Sequence, residues 1–340
     1  MDLEIQKAVL HILDTHVDAP VTSETLLESE DALAYLSGIA GRAFAGEETK
    51  PCILPADASL AAEAARAEED FLPVTVRLAE QWFARLTAQP GIPAGDAAFL
   101  LLSIDGRDYF AALKLNYKVG VAHYFEMRGT APSNDIVRQA TLLPGAGGKA
   151  DEAFFVELGP QAPYQMRLLE KKYDIDGHKQ PYLGRMLGAQ PGLSPKEKLD
   201  TIRAVAAEVN QQFYGATGVD EPEVAAAVCA EYRAAKAAAS RPDAPPWDPA
   251  PIGELCETLY GDLPHAREAF TKALAEHDIA LDEPLPIPPA AVRRMEKQSL
   301  RSADGVEIKV PVDVYRDQSA LEFIQNPDGT VNLLIKNVLV

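Results

Sequence analysis

An apolar run followed directly by an Asp-Gly pair constrains the fold of this chain more than any other feature. Residues 98–104 read Ala-Phe-Leu-Leu-Leu-Ser-Ile, and Asp105-Gly106 comes next. A continuous apolar run of this length is typical of a buried strand. Asp-Gly favours the two-residue turn that joins antiparallel strands. Because residues 109–115 are again largely apolar, the sequence predicts a hairpin at the centre of an antiparallel sheet.

The same patterns predict an antiparallel meander with helices placed before it. Further strands are predicted at residues 3–13, 121–127 and 154–158. Helical spacing of apolar residues begins after Ser29 and again in residues 60–86, where Pro73 predicts a break or a new start. A proline-bearing loop is predicted between these helices, at residues 51–55. Helices and strands grouped apart from each other indicate an α+β fold rather than a parallel α/β fold.

The second half of the chain has a mostly helical pattern. Its helices are predicted at residues 164–173, 182–187, 195–214, 222–239, 252–260, 264–277 and 290–297. The clearest start is Ser194-Pro195-Lys196-Glu197, which has the form of a capping box with proline at the first helical position. A proline-rich connector lies at residues 241–249. Alternating residues 306–314, then a hairpin around Asn326-Pro327-Asp328-Gly329, close the chain.

The length of 340 residues exceeds what one ordinary core accommodates, so two domains are expected. We predict an α+β domain over residues 1–160. We predict a mostly helical domain with C-terminal strands over residues 161–340.

Charge and composition restrict the function classes. The chain carries 51 acidic and 32 basic residues, a net charge of −19. DNA affinity depends on cations, so contact with DNA requires a local basic patch. The three cysteines and six histidines show no disulfide or metal-ligand spacing. No phosphate-loop, dinucleotide or hydrolase motif is present, so we expect no cofactor, metal or catalytic residue. Short apolar runs and an acidic start favour a cytoplasmic protein with no membrane contact.

Two basic islands are the candidate DNA contacts. The first has five cations against three carboxylates: Arg167, Lys171, Lys172, Lys179 and Arg185. The second has four cations against one carboxylate: Arg293, Arg294, Lys297 and Arg301. Lys114 and Lys118 form a third, weaker candidate. Ordinary solvated helix faces explain such islands equally well.

Several phrases of the sequence resemble one known family. The closing phrases are Asp-Gly-Val-Glu-Ile-Lys-Val-Pro-Val at 304–312, Asn-Pro-Asp-Gly-Thr at 326–330 and Ile-Lys-Asn-Val at 335–338. Similar phrases occur in the same order at residues 5–14, 104–118 and 168–177. Together they resemble the bacterial nucleoid-associated proteins of the NdpA/YejK-like family. The resemblance implies location at the nucleoid and DNA binding without evident sequence preference, and it brings no catalytic motif.

The sequence therefore favours a non-enzymatic DNA-binding protein of this family. One alternative is an acidic adaptor or decoy that binds basic proteins of DNA metabolism. A metal-dependent nuclease is a third hypothesis. If the two basic islands met in a homodimer, their combined cations would favour the DNA-binding hypothesis.

Overall fold

The computed structural model describes residues 1–214, 221–239, 249–302, 304–315, 317–327 and 329–337. The chain divides into two compact units, Met1–Ser194 and Pro195–Val340. Antiparallel sheets and separate helices confirm the predicted α+β class. The predicted boundary near residue 160 lies inside the first unit, because the strand that follows it belongs to the main sheet.

The first unit combines a large sheet with helices and short ribbons. Its strands are β1 (Leu3–Leu13), β2 (Lys50–Leu54), β3 (Gly95–Ile104), β4 (Arg107–Asn116), β5 (Lys118–Arg128), β6 (Ala131–Leu142), β7 (Glu152–Glu157), β8 (Tyr164–Leu169), β9 (Tyr173–Ile175), β10 (His178–Gln180) and β11 (Gln190–Pro191). Its helices are α1 (Glu30–Phe44), α2 (Ser59–Ala64), α3 (Phe71–Ala88) and α4 (Leu183–Leu187).

Seven antiparallel strands form the main sheet, in the order β1-β3-β4-β7-β8-β2-β11. The predicted hairpin is confirmed as β3 and β4, whose turn residues Asp105 and Gly106 have φ of 49° and 79°. Positive φ at both positions is the geometry that Asp-Gly accepts readily. The predicted meander is confirmed for β3, β4 and β7, which are neighbours in the sheet.

Both faces of this sheet are covered by helices. Phe99 and Leu101 of β3 pack in a core with Trp82 of α3, while Leu100 lies in a second core with Ile39 of α1. Alternate side chains of a strand point to opposite faces. The continuous apolar run of β3 is therefore explained, since each of its faces contacts a helix layer.

One predicted strand of this unit has a different partner, and two predicted elements are of the wrong type. The strand predicted at residues 121–127 is confirmed as β5, but it pairs with β6 in a separate two-stranded ribbon, because β7 occupies the edge of β4. Residues 51–55, predicted as a loop, contain β2, which pairs with β8 despite Pro51. Residues 164–173 are not helical, because Tyr164, Met166 and Leu168 are buried at a two-residue period in β8.

The helix starts of the first unit follow local signals. Ser29 caps α1 by accepting a hydrogen bond from the backbone N–H of Ala32 at 3.5 Å. The pattern of residues 60–86 splits into α2 and α3, and Pro73 lies in the first turn of α3. Proline is tolerated there because the N–H groups of a first turn have no helical acceptor.

The second unit is mostly helical and ends in short ribbons. Its elements are α5 (Pro195–Tyr214), α6 (Glu221–Ala239), α7 (Ile252–Tyr260), α8 (Pro264–Ala275), α9 (Pro289–Met295), β12 (Lys297–Arg301), β13 (Glu307–Pro311), α10 (Val312–Tyr315), β14 (Leu321–Gln325) and β15 (Val331–Ile335). The predicted terminal hairpin is confirmed as β14 and β15. Asp328 of its turn and residues 241–248 of the proline-rich connector lie outside the described residues.

The junction between α9 and the following strand differs from the prediction. The helix predicted over residues 290–297 ends at Met295, and Lys297 begins β12, which pairs with β13. The alternating residues 306–314 form a strand only as far as Pro311, where α10 follows. Pairing between these two consecutive short strands thus replaces the last turn of the predicted helix.

Candidate nucleic-acid interface

The two arginines of the first basic island are held by the protein itself. The Arg167 guanidinium lies 4.3 Å from the centre of the Phe44 ring and donates to the Phe44 carbonyl oxygen at 3.4 Å. Arg185 donates to Gln180 Oε1 at 2.7 Å and to the Pro181 carbonyl oxygen at 2.8 Å. These contacts fix both guanidinium groups against the first unit.

The three lysines of that island differ in their surroundings. Lys171 forms an ion pair with Asp151, whose second oxygen lies 3.9 Å from Lys118 Nζ. Lys172 and Lys179 are exposed, and neither has a carboxylate oxygen of the described residues within 4.0 Å. Two lysines of the first island therefore keep an uncompensated charge at the surface.

The weaker candidate Lys114 is buried and is not available to DNA. Its Nζ lies 3.0 Å from Glu152 Oε2 and donates to the Pro93 carbonyl oxygen and to Asn116 Oδ1, both at 2.7 Å. Burial lowers the pKa of Lys114 and raises the pKa of Glu152, while their mutual attraction opposes both shifts. The pair joins β4 to β7 inside the first unit.

Aromatic residues extend this buried network. The Tyr182 hydroxyl donates to Glu152 Oε2 at 2.9 Å and accepts from Trp82 Nε1 at 2.8 Å. These two hydrogen bonds connect α3 to β7 through Tyr182, the residue that precedes α4. The side chains involved are buried. Sequence reasoning missed this network. The available signal was a single lysine between Leu113 and Leu115 in the otherwise largely apolar residues 109–115.

The second basic island lies on α9 and β12. Arg293 and Arg294 occupy the last turn of α9, and Lys297 and Arg301 are the first and last residues of β12. In the antiparallel register, Lys297 lies opposite Pro311, and Arg301 lies opposite Glu307. Alternate residues of a strand share a face. The strand therefore brings Lys297 and Arg301 to one face.

Sequence reasoning missed one cation of that face. Ser299, midway between Lys297 and Arg301, lies opposite Lys309 of β13. Lys309 is exposed and faces the same side, because directly opposed residues of a strand pair share a face. The signal that could have found Lys309 is the strand pairing itself, which a single sequence does not display.

One carboxylate offsets part of this charge. Glu307 accepts a hydrogen bond from Ser299 Oγ at 2.7 Å and lies 3.5 Å from Lys309 Nζ. The Ser299 hydrogen bond, followed by the attraction of Lys309, lowers the pKa of Glu307. Arg293, Lys297 and Arg301 have no carboxylate oxygen of the described residues within 4.0 Å. The α9–β12 surface, defined as Arg293, Lys297, Arg301 and Lys309, thus keeps an excess of positive charge.

Neither a metal site nor an exposed cysteine occurs among the described residues. In the described parts of the chain, no group of three or more His, Cys, Asp or Glu side chains is arranged to hold a metal ion. Cys52, Cys229 and Cys256 are buried, and burial raises the pKa of the Cys52 thiol to about 12. No helix among the described residues is long and apolar enough to cross a membrane.

The comparison with protein families decides the affiliation. The sequence model of the family described as nucleoid-associated protein YejK matches residues 9–339. The chain belongs to this family. The match extends over both compact units, and it confirms the resemblance inferred from the order of the short phrases. No curated protein matches the chain.

Proposed function

We propose that the protein binds DNA without strong sequence specificity and acts as a non-enzymatic component of the bacterial nucleoid in the cytoplasm. The observation that carries this proposal is membership of the nucleoid-associated family over nearly the whole chain. The α9–β12 surface supports the proposal, because its exposed cations outnumber its one paired carboxylate, Glu307, and contact with phosphate requires such an excess of cations.

The net charge of −19 limits the distance over which the protein attracts DNA. An acidic molecule repels the duplex at long range, so attraction depends on short-range contact with a few cations. Contacts with phosphate carry no direct sequence information. A surface made of arginines and lysines on a short helix and the adjoining strand pair is therefore expected to bind duplexes of different sequence with similar affinity.

Salt titration tests the proposal on the full-length protein. We expect binding to a 20-base-pair duplex that weakens steeply with salt, since phosphate contacts release about 0.9 counterions each. The double variant Arg293→Glu/Arg301→Glu should lower the affinity at least tenfold and reduce the salt slope by about 2. The double variant Lys149→Glu/Lys272→Glu, with the same change in charge at other exposed positions, is the matched control. An undetectable complex at about 50 mM salt contradicts the proposal.

The first island is a second contact surface within the same proposal. Lys172 and Lys179 are its exposed lysines without a nearby carboxylate, whereas Arg167, Lys171 and Arg185 contact the protein itself. The variant Lys172→Glu/Lys179→Glu is therefore a separate arm of the same titration. A loss of affinity in this arm alone assigns the contact to the first unit.

A second candidate function is that of an acidic adaptor for basic proteins of DNA metabolism. The excess of 51 acidic over 32 basic residues favours it, because complementary charge steers association between proteins. The adaptor binds no DNA by itself at low salt, so the same titration separates the two functions. A nuclease is distinguished from both by divalent-metal-dependent loss of supercoiled plasmid, which we do not expect.

We also propose a homodimer, supported by the β5–β6 ribbon. One face of this ribbon carries Val121, Phe125, Met127 and Ile136, which are 73%, 56%, 56% and 74% exposed. A two-stranded ribbon is marginally stable in water when one face has no packing partner. An apolar face with few charges suits a second copy of the same surface better than it suits DNA.

A further inference from the structure

The apolar face of the β5–β6 ribbon carries one histidine among its exposed apolar side chains. The register places His123 directly opposite Ile136. Alternate residues of a strand share a face, so Val121 and Phe125 flank His123 on the same side of β5. His123 is exposed, and it makes no hydrogen bond or ion pair with the described residues of the chain. Its imidazole is therefore available to a molecule that covers this face.

The paired strand β6 adds one permanent charge to this face. Arg138 lies opposite Val121 and diagonal to His123, and no carboxylate oxygen of the described residues is within 4.0 Å of it. The other diagonal position holds the neutral Asn134. The remaining charged residues of the paired segments 121–128 and 131–138 lie on the opposite face: Glu126, Arg128 and Asp135. Within these segments, a positive charge on His123 therefore has no carboxylate on its own face.

We propose that protonation of His123 dissociates the homodimer, which is stable at neutral pH and above and is weakened in mild acid. This inference rests on the homodimer proposed above, in which the apolar ribbon face is the contact. A two-fold interface contains the same patch of both copies, so it holds two His123 and two Arg138 side chains. Histidine gains its charge between about pH 8 and pH 5. Acid thus adds two positive charges to an interface whose arginines already supply two.

The charged form of His123 is better solvated in the monomer than in the dimer. In the monomer the side chain is exposed to water. In the dimer the same charge lies among apolar side chains, where an unpaired charge is costly, and it shares the interface with two arginines that repel it. Protons therefore bind the monomer more tightly than the dimer. A ligand that prefers one state shifts the equilibrium toward that state, so falling pH favours the monomer.

The charge of the whole molecule acts in the opposite direction. The chain has a net charge of −19 at neutral pH, and two copies with this charge repel each other. Acidification brings the net charge closer to zero and weakens the repulsion. A dimer without a sensitive cationic contact should therefore associate more tightly in mild acid. Weaker association in acid has the opposite sign, which separates the effect of His123 from the general titration.

Sedimentation equilibrium of the full-length protein at about pH 8 and about pH 5.5 tests the inference. We expect the dimer dissociation constant to rise roughly tenfold or more at the lower pH, because two protonations act on each dimer. His123→Gln retains a polar side chain that gains no charge, so its dissociation constant should stay the same or fall on acidification. His178→Gln, at an exposed histidine of β10, is the matched control and should follow the wild type. Circular dichroism at both pH values checks that each variant is folded.

His123→Leu is a second variant, useful if glutamine itself disturbs the contact. It removes the titratable group and adds apolar area, so its dimer should be tighter than that of the wild type at about pH 5.5. A wild-type dimer of unchanged or greater affinity in acid overturns the inference. Equal acid weakening in the wild type and in both His123 variants overturns it as well.

The Phe125→Ser/Ile136→Ser variant separates this inference from the homodimer on which it rests. If that variant weakens the dimer at about pH 8 while the wild type keeps its affinity in acid, the homodimer stands and only the role of His123 is refuted. A wild-type protein that is monomeric at both pH values contradicts the homodimer and the inference together. A dimer that is insensitive to Phe125→Ser/Ile136→Ser has its contact elsewhere, which also contradicts both.

Discussion

Buried polar side chains in the first unit show how single residues are matched to their neighbours. His11 of β1 is fully buried, and its Nδ1 accepts a hydrogen bond from the backbone N–H of Ser23 at 3.0 Å. Its Nε2 lies 3.0 Å from Thr75 Oγ1, whose own hydroxyl donates to the Leu72 carbonyl oxygen. Nε2 therefore carries the proton and Nδ1 has none. The neutral ring satisfies every contact, whereas a second proton on Nδ1 would face the Ser23 N–H.

We predict that His11 makes the first unit sensitive to acid. Burial lowers the pKa of His11 from 6.5 to about 4. Between these values the unfolded chain binds a proton that the folded chain rejects, so folding is weakened as pH falls through this window and is unaffected above it. The full shift corresponds to about 3 kcal/mol of unfolding free energy. Urea unfolding at pH 7 and about pH 4.5 measures this loss.

His11→Gln should be less stable than the wild type at pH 7 and lose less stability on acidification. The exposed His178→Gln is the control, and it should follow the wild type at both pH values. An equal loss of stability on acidification in the wild type and in His11→Gln would show that other groups cause the acid sensitivity.

At the scale of secondary-structure elements, the β5–β6 ribbon is notable because several of its large apolar side chains are exposed. Directly opposed residues of an antiparallel pair share a face, and the register places His123 opposite Ile136 and Phe125 opposite Asn134. Large exposed apolar faces on a protein surface mark interaction sites. The opposite face carries Tyr124 and Val137, of which Val137 is only partly exposed, so the two faces of one ribbon offer a matched comparison.

We predict that Phe125→Ser/Ile136→Ser weakens self-association, because it removes apolar area that the proposed dimer buries. The dimer dissociation constant from sedimentation equilibrium should rise at least tenfold. The control Tyr124→Ser/Val137→Ser, on the other face, should change it less than threefold. A wild-type protein that stays monomeric at about 50 μM contradicts the proposed homodimer.

At the scale of the whole molecule, the division into two units falls at Ser194. β8 pairs with both β7 and β2, and its Met166 and Leu168 belong to the same core as Trp82. A chain cut near residue 160 loses this strand from the interior of the sheet. The unpaired edges of β7 and β2 that remain are a template for aggregation.

We predict that a fragment of residues 1–194 folds by itself, while a fragment of residues 1–160 does not. The longer fragment keeps all seven strands of the main sheet and both of its helix-covered cores. Circular dichroism with urea titration should show one cooperative transition for the longer fragment. A cooperative transition with the same midpoint in the shorter fragment would disprove the importance of β8.

The sequence alone determined those features that local chemistry specifies. Asp105-Gly106 set the β3–β4 turn because both residues accept positive φ, and Ser29 set the start of α1 because its side chain caps the helix. The order of short phrases established the family. The α+β class followed from the grouping of the two periodicities.

Only the tertiary structure decided the features that depend on which segments pair. β2 and β8 were missed because their strand character comes from hydrogen bonds to each other, far apart along the chain. β12 was missed because its strand character depends on pairing with β13. The same pairing buried Lys114 against Glu152 and placed Lys309 beside Lys297 and Arg301. Local propensity depends on neighbours within a few residues, whereas the position of a charge depends on long-range contacts, and so the candidate site could not be assembled from the sequence.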